Sequence, residues 1–269
     1  MANTVYSNKV IEAKATDLLT TGVDARTLMT VDTSLTAEAG MIKTINTYTY
    51  NGAAEELEAG EGNTTRGSVA YVGKDYPVKL VQQAFDYTDE DFMKDNLVVD
   101  MGVQGATQVM TNKMTADFIA ALETENEGTR LITNVETFAK DGELSYDVIV
   151  DAISKINVED ESKLVVLIPN AWKAGLRKDP DYVSARMGEV VYNGQVGTVA
   201  GLPVVATKAL TDEAYVLSPE AVKCFMKKDV EVEQDRNADT RTNSIYLRNA
   251  YVVALVDATK ACRIAEANA

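Results

Sequence analysis

The sequence predicts an α+β fold: a long β-hairpin, then one very long helix, then a compact α/β region closed by further strands. Three observations carry that prediction. No proline occurs from Phe92 to Glu123, and apolar residues recur there at helical spacing. Residues 41–87 are rich in Thr, Tyr and Val, the composition of strands, and an acidic glycine-rich run divides them. Beyond residue 130, short apolar strands flank one amphipathic helix.

Residues 1–40 read as an arm. Ile11, Ala15, Leu18 and Leu19 share one face of a short predicted helix, followed by polar residues and Gly22, and so few apolar groups must lie on something else. Residues 41–87 form the hairpin, with Met41–Tyr50 and Ser68–Val72 as limbs and Tyr76–Tyr87 continuing extended past Pro77, an edge signal. A ten-residue limb at ~3.3 Å per residue is roughly 33 Å long. Its tip, residues 55–66, is acidic and contains Gly60 and Gly62. Such a ribbon is marginal alone, which predicts that a neighbouring chain supports it.

Thr88 caps the helix, with Asp91 as an acidic variant of the capping box. Leu97, Met101 and Gly105, then Met110, Met114, Phe118 and Leu122, form the predicted buried stripe beside Met93, Val109 and Ile119. Thirty-odd residues at 1.5 Å rise predict a rod of roughly 50 Å, with Gly102 and Gly105 as places for a bend. In residues 130–225, Leu144, Val148, Ile149, Ala152, Ile153 and Ile156 make one helix face. Leu164–Ile168, Thr198–Thr207 and Ala214–Leu217 read as strands, and Ser218-Pro219 as the start of a short helix. Residues 226–269 return as strands around Val230, Val232, Ser244–Leu247 and Tyr251–Val256.

Composition then excludes whole classes of chemistry. The 269 residues are 46% hydrophobic and 25% charged, enough for a real core, and contain no histidine. Serine–histidine and cysteine–histidine nucleophile systems and histidine-bearing zinc sites are therefore impossible. The two cysteines, Cys224 and Cys262, form no CxxC pair and no disulfide scaffold. Met1–Ser7 lacks the features of a secretory leader, which predicts cytoplasmic synthesis, and no apolar run is long enough to span a bilayer. A net charge of −15 opposes nucleic-acid affinity. It fits both an ordinary solvated surface and a wall that encloses nucleic acid without sticking to it, and charge alone does not separate them.

The candidate constellations have structural readings. Asp235-Arg236-Asn237-Ala238-Asp239 starts like a calcium loop, but Thr240 stands where glycine is needed and Tyr246 where glutamate is needed, so a solvated turn is expected. Asp89, Glu90 and Asp91 complement a helix dipole. Gly194, Gly197 and Gly201 lack dinucleotide or P-loop spacing, and four glutamates around Gly60 and Gly62 would repel phosphate. Asn63-Thr64-Thr65 means nothing without secretion. Trp172 is expected in the core, and the nine methionines mainly at packing positions. No catalytic, cofactor-binding or metal-binding residue emerges, and an enzyme is not expected.

This order of elements resembles the major capsid proteins of tailed bacteriophages, with the Hong Kong 97-type capsid fold. Thr4-Val5-Tyr6-Ser7-Asn8-Lys9-Val10-Ile11-Glu12 with Ala25-Arg26-Thr27-Leu28-Met29 resembles the family, as does Gln82-Gln83-Ala84-Phe85-Asp86-Tyr87-Thr88-Asp89-Glu90-Asp91-Phe92. So do Ile168-Pro169-Asn170-Ala171-Trp172, residues 194–205, and Arg248-Asn249-Ala250-Tyr251-Val252-Val253-Ala254. The resemblance covers essentially the whole chain. It implies an N-terminal arm (1–40), an extended loop lying over a neighbour (41–87), a peripheral-domain spine helix (88–129), an axial domain (130–225) and peripheral return strands (226–269). It further implies pentamers and hexamers of the chain in an icosahedral virion shell, assembled in the bacterial cytoplasm. A separate scaffolding protein and a portal are implied partners, with double-stranded DNA enclosed without sequence-specific binding and no membrane. Some relatives crosslink a loop lysine to a neighbour's asparagine. Lys74, Lys79, Asn237 and Asn243 are present, but nothing aligns them, and that chemistry is not carried over. The alternatives are an encapsulin-like compartment shell and, from another class, a carboxylate-based hydrolase.

Overall fold

The computed structural model describes residues 25–37, 39–126, 128–139, 143–156, 158–185 and 197–267. The predicted arm helix around Ile11–Leu19 and the residues Gly194–Val196 lie outside them. The chain enters through a 3-10 turn, Ala25–Leu28, and a short strand β1 (Thr30–Asp32). The hairpin follows as β2 (Ile42–Asn51) and β3 (Ser68–Pro77), and β4 (Lys79–Thr88) leads to helices α1 (Asp89–Lys94) and α2 (Val98–Leu122). After a two-residue ribbon, β5 (Glu125–Asn126) with β6 (Thr129–Arg130), come β7 (Val135–Phe138), α3 (Tyr146–Ser154) and β8 (Val165–Pro169). Helices α4 (Lys173–Lys178) and α5 (Pro180–Ala185) precede β9 (Thr198–Val199), β10 (Leu202–Thr207) and β11 (Glu213–Leu217). Two long strands, β12 (Val222–Asn237) and β13 (Thr242–Leu255), and a last strand β14 (Ala261–Glu266) complete the chain.

Two main sheets result. One has the order β1-β12-β13-β4, the other β7-β14-β11-β8-β10-β9. Helix α2 joins them. Its first half sets Val99, Val103, Ala106 and Met110 against Val230, Val232, Ile245 and Leu247 of the four-stranded sheet. Its second half sets Met114, Phe118 and Leu122 among Leu167, Tyr215 and Leu217, which share one face of the six-stranded sheet. The alternate residues Val166, Ile168, Ala214 and Val216 face the other way, against Ile149, Ala152 and Ile153 of α3. Period-two alternation thus lets one sheet serve two cores.

The long helix is shorter and differently turned than the spacing predicts. Asp95 breaks it. Its backbone is extended (φ −146°, ψ 113°) and its side chain accepts from Leu97 N at 2.9 Å, a local turn that competes with helix. The 25 residues of α2 at 1.5 Å rise span about 37 Å. The predicted stripe also changes face. At roughly 100° per residue, Met101 and Met110 lie half a turn apart, so a run drawn through both cannot sit on one side. Met110 is buried and Met101 is 64% exposed. The helix runs unbroken through both glycines. A Cβ on Gly102 would lie 2.3 Å from Phe85 Cε2, so this glycine lets α2 lie against β4, whereas a Cβ on Gly105 would meet nothing within 4 Å.

Two further expectations are corrected. Thr198–Thr207 is not one strand: Ala200 (φ 49°) and Gly201 (φ 82°) turn it into the β9–β10 hairpin, both residues adopting the positive φ that a two-residue turn demands. Ser218-Pro219 starts no helix. Ala221 N donates to Ser218 O at 2.9 Å in a tight turn, and the Pro219 carbonyl accepts from Thr30 N at 3.0 Å, so it is committed to β1. The Thr88 capping box forms as predicted, with Asp91 N donating to Thr88 Oγ1 at 3.1 Å and Thr88 N to Asp91 Oδ2 at 3.3 Å.

Candidate assembly surfaces

The hairpin is anchored at its root and bare further out. Ile45 and Tyr76 pack against a cluster of Leu35, Val78, Phe225 and Val252, and Lys43 sits 5.3 Å above the Phe225 ring. Beyond that root the register pairs Tyr48 with Tyr71 and Tyr50 with Val69, which places all four on one face. Tyr48 and Tyr71, their ring centroids 6.2 Å apart, are 65% and 70% exposed, and Tyr50 and Val69 are exposed as well. Three tyrosines and a valine thus form an exposed apolar face on a thin ribbon.

The tip is organised by one carboxylate. Glu55 accepts from Thr64 N and Thr64 Oγ1 at 2.8 Å and from Thr65 N at 2.9 Å, and also from the Thr65 hydroxyl. These hydrogen bonds, those of Thr65 and Thr64 foremost, hold its pKa down at about 2. The Tyr50 hydroxyl would lie 2.6 Å and 2.2 Å from Cβ atoms added to Gly52 and Gly67, so glycine at both flanks lets the ring fold over the start of the tip.

A second bare face runs along the helices. Met93 (82% exposed), Leu97, Met101 and Val109 are all exposed and apolar. Sequence reasoning set these residues on one helical stripe with Met110, Met114, Phe118 and Leu122, which are buried. The usable signal was the two-sidedness itself, since Val99, Val103 and Ala106 supply a complete inner stripe without them. The methionines divide the same way: Met29, Met110, Met114 and Met226 are buried, whereas Met41, Met93 and Met101 are exposed.

Buried charge is structural. Asp117, 7% exposed, accepts from Lys113 Nζ at 3.0 Å and Lys79 Nζ at 3.1 Å through one oxygen, and from the Tyr251 hydroxyl at 2.9 Å through the other. Burial works to raise its pKa, but these hydrogen bonds outweigh it and hold the carboxyl below the usual aspartate value. Lys79 opens β4 directly behind the hairpin, so the cluster ties the ribbon's root to α2. Glu213 similarly receives Arg263 at 2.8 Å and lies 3.5 Å from Arg130, joining β11, β14 and β6. Burial pushes the Cys262 thiol up to about 11, the wrong direction for reactivity.

The weighed constellations resolve into local contacts. Asp89 accepts from Arg236 and Asn243, each at 2.8 Å, and Glu90 pairs with Arg241 at 2.9 Å, so the acids of α1 grip the β12–β13 turn. Asn237 Oδ1 accepts from Asp239 N at 3.0 Å in the turn between β12 and β13. Lys74 lies 5.6 Å from the Tyr76 ring centroid, and Trp172 stands edge-on to Phe138 at 5.1 Å. Among the described residues no three Cys, Asp or Glu side chains gather as a metal would require, and no helix is long and apolar enough to cross a membrane.

No family model matches the chain. A major capsid protein of the Staphylococcus phage phiMR11 is 28% identical over 246 residues, 87% of this chain and 84% of that protein. A chain in the capsid structure of the cyanophage P-SCSP1u superposes with a TM-score of 0.68 at 14% identity, over 90% of this chain and 87% of that one. This is a phage-capsid fold. A virus-like particle from Pyrococcus furiosus gives a TM-score of 0.64 at 11% identity, covering 95% of this chain and 98% of that one.

Proposed function

We propose that this chain is the major capsid subunit of a tailed phage, a structural protein whose copies form the icosahedral shell of the virion. The observation that carries the reading is the pair of exposed apolar faces on a chain with the capsid fold. Full burial of an exposed side chain of this size is worth about 1.5–3 kcal/mol, and Met93, Leu97, Met101 and Val109, still half or more exposed, leave roughly half or more of that unrealised in an isolated subunit. In this reading residues 41–87 lie over a neighbouring subunit and residues 88–129 form the spine. Residues 130–225 are the axial region that meets at the centres of pentamers and hexamers, and residues 226–269 return to the peripheral region behind the arm of residues 1–40. A separate scaffolding protein and a portal are the expected assembly partners in the host cytoplasm, and double-stranded DNA the enclosed cargo. A net charge of −15 per subunit keeps the wall from binding that DNA.

Electron microscopy of the purified chain, alone and with its scaffold, tests this. Closed shells or capsomers are expected, and Tyr48→Ser with Tyr71→Ser should prevent them while leaving the subunit folded by circular dichroism. A wild-type chain that stays a compact monomer at high concentration in both settings overturns the reading. The alternative is a compartment shell, and spontaneous closure without scaffold around a protein cargo would point there.

A further inference from the structure

A groove of about 480 Å³ opens where the entering chain, α2 and the edge of the six-stranded sheet meet. Its apolar wall is Ala25, Leu28, Phe118, Ile119, Val205 and Ala206. Two features show that this is an unfinished contact. The side-chain oxygen of Asn170, in the lining, is sealed from solvent and has no hydrogen-bond partner among the described residues. A buried acceptor left in that state costs about 1–3 kcal/mol, so a turn of the amide that brings the oxygen to an occupant's N–H is favoured. Strand β10 is also incompletely paired. β8 covers one side, but on the other β9 reaches only Leu202 and Pro203, and Val204 N donates to Gly197 O at 3.0 Å. Val205–Thr207 have no strand neighbour on that side among the described residues.

The chain itself names the occupant. Ala25, on the groove's rim and 1% exposed, is where the preceding residues enter the body. Leu18 and Leu19 stand seven and six residues before it, and with Ile11 and Ala15 they form an apolar set that needs cover. Six extended residues reach roughly 20 Å at ~3.3 Å each, enough to cross the groove from its own rim. A tether this short gives an effective concentration on the order of millimolar, so a modest apolar contact suffices for occupancy. We propose that the segment bearing Ile11, Ala15, Leu18 and Leu19 seats in the groove of its own chain and supplies the N–H that Asn170 Oδ1 lacks. The docking is intramolecular and does not depend on the shell reading.

Two measurements on the full-length chain test it. Both native cysteines are buried, so engineered thiols report cleanly. Leu19→Cys with Ala206→Cys, treated with a short bismaleimide, should give an intrachain link mapped by peptide mass, before and after any assembly. Separately, Ala206→Cys alone should react slowly with a soluble maleimide, and adding Leu18→Asp and Leu19→Asp should speed it at least tenfold. If Ala206→Cys fails to fold by circular dichroism, Thr207→Cys at the rim takes its place in both measurements. An interchain link, no link, or an unchanged labelling rate each overturns the proposal. Shell formation is read separately by microscopy, so failure here and failure of the shell reading are distinguishable.

Discussion

Gly102 and Gly105 stand one turn apart on the same helix, and the structure predicts opposite outcomes when each becomes alanine. Replacing a helix-interior glycine gains about 0.8–1 kcal/mol from propensity alone. At Gly105 that gain is expected in full, because an added Cβ meets nothing within 4 Å. At Gly102 the new carbon would lie 2.3, 2.6 and 2.8 Å from three ring carbons of Phe85, where carbon–carbon contact wants about 3.5–4.0 Å. Phe85 packs against the Val99–Val103 cluster, so its ring has little room to retreat. Overpacking of this kind costs about 1–3 kcal/mol, which cancels or exceeds the propensity gain. Equilibrium urea unfolding of the unassembled subunit should place Gly105→Ala above wild type and Gly102→Ala at or below it, the two differing by roughly 1–3 kcal/mol. In a Phe85→Leu background the difference should shrink. Equal stabilisation by both alanines in the wild-type background would refute the close approach of α2 to β4.

Asp117→Ala removes the acceptor shared by Lys79, Lys113 and Tyr251. The lysines are half-exposed and worth about 0.2–1 kcal/mol each, whereas the buried tyrosine–carboxylate bond is worth about 1.5–3, so a loss of ~2–4 kcal/mol is expected by denaturant unfolding. Because the folded pKa of Asp117 lies below the usual 3.8, its contribution is present above that value and disappears as pH falls through the lower folded value; the stability difference between wild type and the Asp117→Ala variant should collapse only in that acid range. Glu55 should titrate near pH 2 and not near 4.5, so the tip's hydrogen bonds persist through pH 4.5 and fail as pH falls through about 2; the Thr64 and Thr65 amide resonances report this, and a midpoint near 4.5 would contradict the geometry. Asn249 is 1% exposed, and neither polar atom of its amide has a hydrogen-bond partner among the described residues, so Asn249→Leu should raise the unfolding free energy by about 1 kcal/mol, and a clear loss would show the amide engaged.

Element type was legible where local chemistry and periodicity agreed. The Thr88–Asp91 box, the hairpin limbs, the Leu144–Ile156 face and the buried β8 all follow from short-range rules that tertiary packing reinforces. The misses share a cause. Asp95 ends α1 by binding a backbone amide two residues on, a competition that no apolar spacing reveals. Ala200 occupies positive φ, a conformation for which alanine is no signal. Pro219 is diverted from a helix by Thr30, 189 residues away in sequence. As for the surfaces, the ribbon's thin, strand-forming composition was readable in sequence. The outer face of the helices was not, because a buried and an exposed apolar residue look alike in sequence.

That ambiguity is itself informative. A surface helix packed on one sheet needs one apolar stripe, and here Val99, Val103, Ala106 and Met110 already provide it. Leu97 at the helix's start and Met101 and Val109 away from that stripe stay exposed in the isolated fold, and their exposure invites nonspecific association. Such residues are tolerable on a subunit that spends its working life in contact with others, where each buried side chain adds cohesion repeated at every copy. The aromatic face of the ribbon follows the same logic, with the added point that Tyr48 and Tyr71 lose few rotamers when they dock. Changing Met101 and Val109 to Gln should therefore leave subunit stability within about 0.5 kcal/mol of wild type, as surface substitutions do, while weakening assembly. If the double variant assembles as readily as wild type, the second stripe is not a subunit contact and the assembly reading must rest on the ribbon alone.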